Sequence, residues 1–99
     1  MKKEKQVRVL IFEPKKPARE EIIPNELKEF QKIVGGLIEV VRVKDDVILL
    51  CNEEFLFMDF EPNRVVNGTV IHGTFLLIAD VAPEFGSLSD KAVEFFGKR

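Results

Sequence analysis

Residues 33–51, IVGGLIEVVRVKDDVILLC, contain the clearest structural pattern of this chain. The Gly-Gly pair predicts the end of a helix, because glycine readily adopts the left-handed conformation found at helix C-termini. Two runs rich in β-branched residues follow, residues 37–43 and 47–51, and the polar KDD separates them. Such runs around a short polar break predict two antiparallel strands joined in a hairpin.

A helix over about residues 25–34 is predicted immediately before this stretch. Asn25 is a favourable N-cap, and apolar residues recur at helical spacing behind it: Leu27, Phe30, Ile33 and Val34. A second helix is predicted over about residues 89–97. Ser89 is its expected N-cap, and Asp90 in its first turn suits the positive end of the helix dipole.

The remaining apolar runs predict a sheet. Strands are expected at residues 7–13, 19–23, 55–60, 65–66 and 69–79. Residues 80–86 are expected to be irregular, and Asn67-Gly68 is a strong two-residue turn signal. The predicted fold class is α+β: one domain over residues 1–99, with a mostly antiparallel sheet of about five or six strands and both helices packed on one face of it.

Composition narrows the functional classes. The net charge of −2 lacks the basic excess of a typical nucleic-acid binder. Nine Phe with no Tyr or Trp suit a dry core, and one Cys excludes an internal disulfide. There is no apolar run of the roughly 20 residues that a membrane span needs and no signal-peptide pattern, so a cytoplasmic protein is expected. No cofactor is expected.

Cys51 and His72 are the weak catalytic candidates. A Cys–His pair can produce an activated thiolate when the two side chains meet in space. A buried, inert thiol at the end of an apolar strand is the commoner outcome. No ligand spacing for a metal is present.

Two polar pairs are the candidates for ligand binding: Asn52 and Glu53 in a turn, and Asn63 and Arg64 in a loop between strands. Loops often display functional side chains, and Arg64 could bind a carboxylate or a phosphate. Pairing of Arg64 with Glu61, or capping of a neighbouring strand by Arg64, is the structural alternative. The decisive question is whether both pairs meet in one concave pocket.

The ordered segments VRVLIFEP, IVGGLIEVV, LLCNEE, EPNR, IHGTFLLIA and SLSDKAVEFF resemble the family known as domain of unknown function 3846. The resemblance covers nearly the whole chain. It implies a small bacterial or phage protein of the cytosol, often carried on mobile elements, with no activity to transfer. This chain departs from the family pattern at FLF, residues 55–57, where a Gly-containing turn is usual. It also departs at the Asn67-Gly68 connection, which is short.

Three functions follow in order of preference. The first is a non-enzymatic interaction or accessory module of a mobile element, binding another protein or a second copy of itself through unused strand edges. The second is a small-ligand or enzymatic site built from the two polar pairs. The third is weak nucleic-acid binding through Lys2, Lys3, Lys5, Lys15, Lys16 and Arg64.

Overall fold

Eight strands and two helices follow one another along residues 3–99, the part of the chain that this computed structural model describes. The strands are β1 (Gln6–Phe12), β2 (Arg19–Pro24), β3 (Ile38–Lys44), β4 (Val47–Asn52), β5 (Pro62–Val66), β6 (Thr69–His72), β7 (Phe75–Val81) and β8 (Glu84–Gly86). The helices are α1 (Leu27–Val34) and α2 (Asp90–Phe96), and one turn of 3-10 helix lies at Phe55–Phe57.

Six of the strands form the main sheet, in the order β2-β1-β7-β4-β3 with β8 beside β7. Every pair in it is antiparallel. Strands β5 and β6 form a separate two-stranded hairpin. The predicted α+β class, with a mostly antiparallel sheet and two helices, is confirmed.

The central strands β1, β4 and β7 are apolar on both faces. Alternate residues therefore enter two separate clusters. The cluster on the α1 side contains Val7, Val9, Ile11, Ile23, Phe30, Ile48, Leu50, Leu76 and Ile78. The cluster on the α2 side contains Leu10, Phe12, Val47, Leu49, Cys51, Phe55, Ile71, Phe75, Leu77, Leu88 and Phe96.

The prediction that both helices pack on one face is wrong. Phe30 of α1 and Phe96 of α2 belong to different clusters, so the helices cover opposite faces. The physical reason is the double-sided apolar character of the central strands, which leaves no face that can remain in water.

The local signals at the ends of the elements are largely confirmed. Gly35 ends α1 in the left-handed region with φ +82°, and the Ser89 hydroxyl accepts a hydrogen bond from the Ala92 amide at 3.1 Å. Asn25 differs from its predicted role, since Glu26 precedes α1 and no side chain caps that helix. Asn25 is instead buried, and its side-chain Nδ2 donates to the backbone carbonyls of residues 4 and 85 at 2.9 and 3.1 Å.

Four segments differ from the predicted ones. Asn63 and Arg64, expected in a loop, lie in β5 (Pro62–Val66). The strand expected at residues 55–60 is a 3-10 turn followed by extended chain. The strand expected at residues 69–79 is broken at Gly73, where φ is +83°. This break lets β6 leave the sheet and pair with β5, while β7 enters the centre of the sheet. The segment expected to be irregular contains the end of β7 and all of β8.

Neither helix approaches the length of a membrane span within residues 3–99, since α1 has eight residues and α2 has seven.

Candidate functional site

Asn52 lies at the end of β4 and is almost fully buried, at 5% exposure. Its Nδ2 donates to the Val34 carbonyl at 3.3 Å, and its Oδ1 accepts from the Glu54 amide at 2.8 Å. A Cβ atom on Gly36 would come within 2.8 Å of the Asn52 Nδ2. Asn52 therefore joins the end of α1 to the end of β4, with glycine providing the space for it.

Glu53 follows in the same turn with an exposed side chain. Its backbone amide donates to the Leu37 carbonyl at 2.8 Å, which continues the pairing of β3 and β4 by one residue. The side chain is free to meet solvent or a partner.

Asn63 joins two strand ends at the beginning of β5. Its Nδ2 donates to the Phe12 carbonyl at 2.9 Å and to the Gly73 carbonyl at 2.8 Å. Its Oδ1 accepts from Arg64 at 2.9 Å. These contacts attach the β5–β6 hairpin to the end of β1 and to the break before β7.

Arg64 uses four hydrogen bonds from its two terminal nitrogens. Three accepting atoms are backbone carbonyls: Glu13 at 3.0 Å, Lys16 at 2.6 Å and Arg99 at 3.2 Å. The fourth is the Asn63 side chain, and the guanidinium also lies 5.2 Å from the centre of the Phe12 ring. Arg64 thus ties the β1–β2 turn to the end of α2, and only its Nε–H has no hydrogen bond within residues 3–99.

The two polar pairs share no hydrogen-bond partner in this part of the chain. Asn52 contacts the end of α1, whereas Asn63 and Arg64 contact the end of β1 and the residues beyond α2. A ligand site that combines all four residues stays a prediction.

Cys51 and His72 form no hydrogen bond with each other within residues 3–99. The Cys51 thiol is fully buried, and burial together with the nearby Glu39 carboxylate raises its pKa to about 11. It is therefore protonated at neutral pH and a poor nucleophile. The His72 ring stacks on Phe55 with centroids 5.9 Å apart, and its Nδ1 lies 3.2 Å from the Phe60 carbonyl oxygen.

The basic residues near the N-terminus are partly neutralised. Lys15 pairs with Glu61 at 3.1 Å and Lys16 with Glu13 at 3.4 Å. Lys3 and Lys5 are exposed, and Lys2 lies outside the described residues. Nucleic-acid binding through this group stays a prediction. No group of three or more His, Cys, Asp or Glu side chains that could hold a metal ion exists in residues 3–99.

An exposed apolar segment that was not predicted from the sequence consists of Leu56, Phe57 and Met58, and we call it the apolar loop. These side chains are 75%, 86% and 44% exposed, whereas the preceding Phe55 is buried. In a 3-10 helix consecutive side chains project about 120° apart. When Phe55 packs inward on His72, the next two side chains therefore point into solvent. A strand was predicted here from aromatic content, although FLFMDF lacks the polar alternation of a half-buried strand.

A second missed feature is a concave surface on the α2 side, which we call the basic cleft. Its volume is about 210 Å³. It lies between α2 and the β5–β6 hairpin. It is lined by Phe12, Val43, Lys44, Arg64, Val65, Val66, Asn67, Phe75, Leu77, Phe95, Phe96 and Arg99. Three of these residues are cations and none is an acid.

The fold defines a small α+β protein whose sheet is covered on both faces. The chain belongs to the family described as Domain of unknown function (DUF3846), whose model matches residues 7–99. No curated protein and no solved structure matches the chain.

Proposed function

We propose that this protein is a non-enzymatic interaction module that binds a protein partner through the apolar loop. The observation that carries the proposal is the exposure of Phe57 and Leu56 beside a Phe that is buried. Burying a side chain of this size is worth about 1.5–3 kcal/mol relative to leaving it in water. Large apolar side chains exposed together mark surfaces that another molecule covers.

The surroundings of the apolar loop indicate the chemistry of its partner. Residues 52–61 contain four acids and no Lys or Arg. Glu61 pairs with Lys15, whereas Glu53, Glu54 and Asp59 form no ion pair within residues 3–99. A partner that fits the loop would offer an apolar pocket for Phe57 with basic residues around it, because complementary charge favours encounter and register.

The family resemblance supports the wider setting of this proposal. We place the protein among the accessory proteins of bacterial mobile elements or phages, acting in the cytoplasm. The support is the resemblance alone, and the structure contributes the surface through which such a protein would act.

Photo-crosslinking at position 57 tests the proposal. A photoreactive phenylalanine analogue replaces Phe57 in the full chain, and in a control it replaces Ile22, which is also apolar and exposed but lies on β2. We expect a discrete adduct from position 57 only. Once identified by mass spectrometry, its partner should bind the purified protein and lose about 30-fold or more in affinity with Phe57→Ser.

The serine variant should keep its fold, since the Phe57 side chain is 86% exposed. Its far-UV circular dichroism and melting temperature should match those of the unsubstituted protein. Equal crosslinking from positions 57 and 22, or an identified partner that binds Phe57→Ser and the unsubstituted protein equally, would contradict the proposal.

A further inference from the structure

The basic cleft has the features that the apolar loop requires of a partner. Its floor is formed by aromatic and aliphatic side chains, and Lys44 and Arg99 lie beside Phe95, each with its charge 5.1 Å from the ring centre. A cavity of about 150 Å³ lined by apolar side chains accepts a benzene molecule. A cleft of about 210 Å³ therefore has room for the ring of one phenylalanine.

The cleft, like the apolar loop, exposes apolar side chains to solvent. Val65 and Phe95 are 64% and 48% exposed although they border this concave surface. The cleft thus leaves apolar area in water that an incoming side chain would cover.

The two surfaces have opposite charges. The residues that line the cleft include Lys44, Arg64 and Arg99 and no acid. Of the four acids in the segment around the apolar loop, Glu61 pairs with Lys15, and the other three form no ion pair within residues 3–99. The chain as a whole has 15 basic and 17 acidic residues. Such segregation in a nearly neutral chain is complementary between copies rather than repulsive.

The loop does not occupy the cleft of its own chain. None of its three side chains lines the cleft, and Leu56, Phe57 and Met58 are 75%, 86% and 44% exposed. Each copy therefore presents one free loop and one free cleft.

We propose that the partner of the apolar loop is a second copy of this chain, with Phe57 of one copy seated in the basic cleft of the other. This inference rests on the function proposed above and names its partner. It adds the cleft as the receiving surface, with Lys44 and Arg99 facing the acids that flank the loop.

Complementation between two defective variants tests the contact. Phe57→Ser removes the main apolar side chain of the loop and leaves the cleft unchanged. Lys44→Glu reverses one charge in the cleft and leaves the loop unchanged. We expect the unsubstituted protein to self-associate in size-exclusion chromatography with light scattering. Each variant alone should lose about 30-fold or more in self-association affinity. An equimolar mixture of the two variants should recover association, because one intact loop then meets one intact cleft.

Matched controls exclude general effects of the substitutions. Ile22→Ser removes another exposed apolar side chain, and Lys28→Glu reverses a charge on α1, on the opposite face of the sheet. Both should associate as the unsubstituted protein does. Raising the salt concentration from about 0.05 to 0.5 M should weaken association, since exposed charges are screened beyond a few ångströms at the higher value.

Two results would overturn the inference. One is a strict monomer at millimolar concentration, and the other is self-association that Phe57→Ser leaves unchanged. Crosslinking from position 57 separates this failure from that of the proposed function. An adduct with a different protein would contradict self-association and support the proposed interaction function. The absence of any specific adduct would contradict both proposals.

Discussion

Replacing Arg64 by methionine should destabilise the fold by about 2–4 kcal/mol. Methionine keeps an unbranched apolar side chain of similar length and removes the guanidinium. The figure follows from the partners of Arg64. A hydrogen bond from a charged donor contributes about 1.5–3 kcal/mol where the acceptor is shielded, as the Glu13 carbonyl partly is.

The other contacts of Arg64 add less. The carbonyls of Lys16 and Arg99 are exposed, so water can replace the lost donor. The guanidinium over the Phe12 ring contributes about 0.5–1 kcal/mol. Set against a total stability of about 5–15 kcal/mol, the loss is large.

Urea unfolding followed by circular dichroism measures this change, and the melting temperature should fall by roughly 8–30 °C. Arg42→Met is the matched control. Arg42 also donates to a backbone carbonyl, that of Asp45 at 2.7 Å, and pairs with Asp80, but its side chain is mostly exposed. Its loss should cost less than about 1 kcal/mol.

Arg64→Lys separates charge from geometry. One ammonium group cannot reach the carbonyls of Glu13, Lys16 and Arg99 together, so lysine should recover less than half of the lost stability. A cost below about 1 kcal/mol for Arg64→Met, or full recovery with lysine, would refute the role of Arg64 as a link between distant segments.

Three further predictions concern single positions. The Cys51 thiol should react with a disulfide reagent only after unfolding. Because its pKa is raised from 9.0 to about 11, its contribution to stability is complete below pH 9 and is lost between pH 9 and 11, by a few kcal/mol at most in urea titrations. Rapid labelling of the native protein would contradict this. Gly73→Ala should destabilise the fold by more than about 1 kcal/mol, because φ is +83° and a Cβ would lie 2.8 Å from the Phe60 ring. An unchanged melting temperature would show that alanine fits between β6 and β7 without strain. Ser89→Ala removes the hydrogen bond to the Ala92 amide and should cost about 1 kcal/mol in thermal unfolding, whereas Ser89→Asp should retain most of the stability.

Much of the fold was predictable because its signals are local. Gly35 needs a left-handed conformation, Ser89 caps the helix that it precedes, and Asn67-Gly68 forms the tight turn between β5 and β6. Each of these depends on a residue and its immediate neighbours. Alternating or continuous apolar runs likewise predicted most strands.

The candidate site was less predictable. Asn63 and Arg64 were predicted as candidates because they are polar residues beside a strand. Apart from Gly73 and their bond to each other, their hydrogen-bond partners lie 35 to 51 residues away in the chain. No spacing pattern in the sequence identifies a backbone carbonyl as the acceptor. The exposure of Phe57 was hidden for a similar reason, because FLF has the composition of a buried strand.

Conformational preference and hydrophobic period act over a few residues, so the class of fold, the turns and the ends of most elements follow from the amino acids alone. Long-range packing, in contrast, puts the helices on opposite faces, lets Asn63 and Arg64 join distant strand ends, and keeps Phe57 outside the core. Each of these depends on which distant segments compete for the same space. The same competition leaves an exposed apolar loop flanked by acids and a separate cleft lined by cations on one chain.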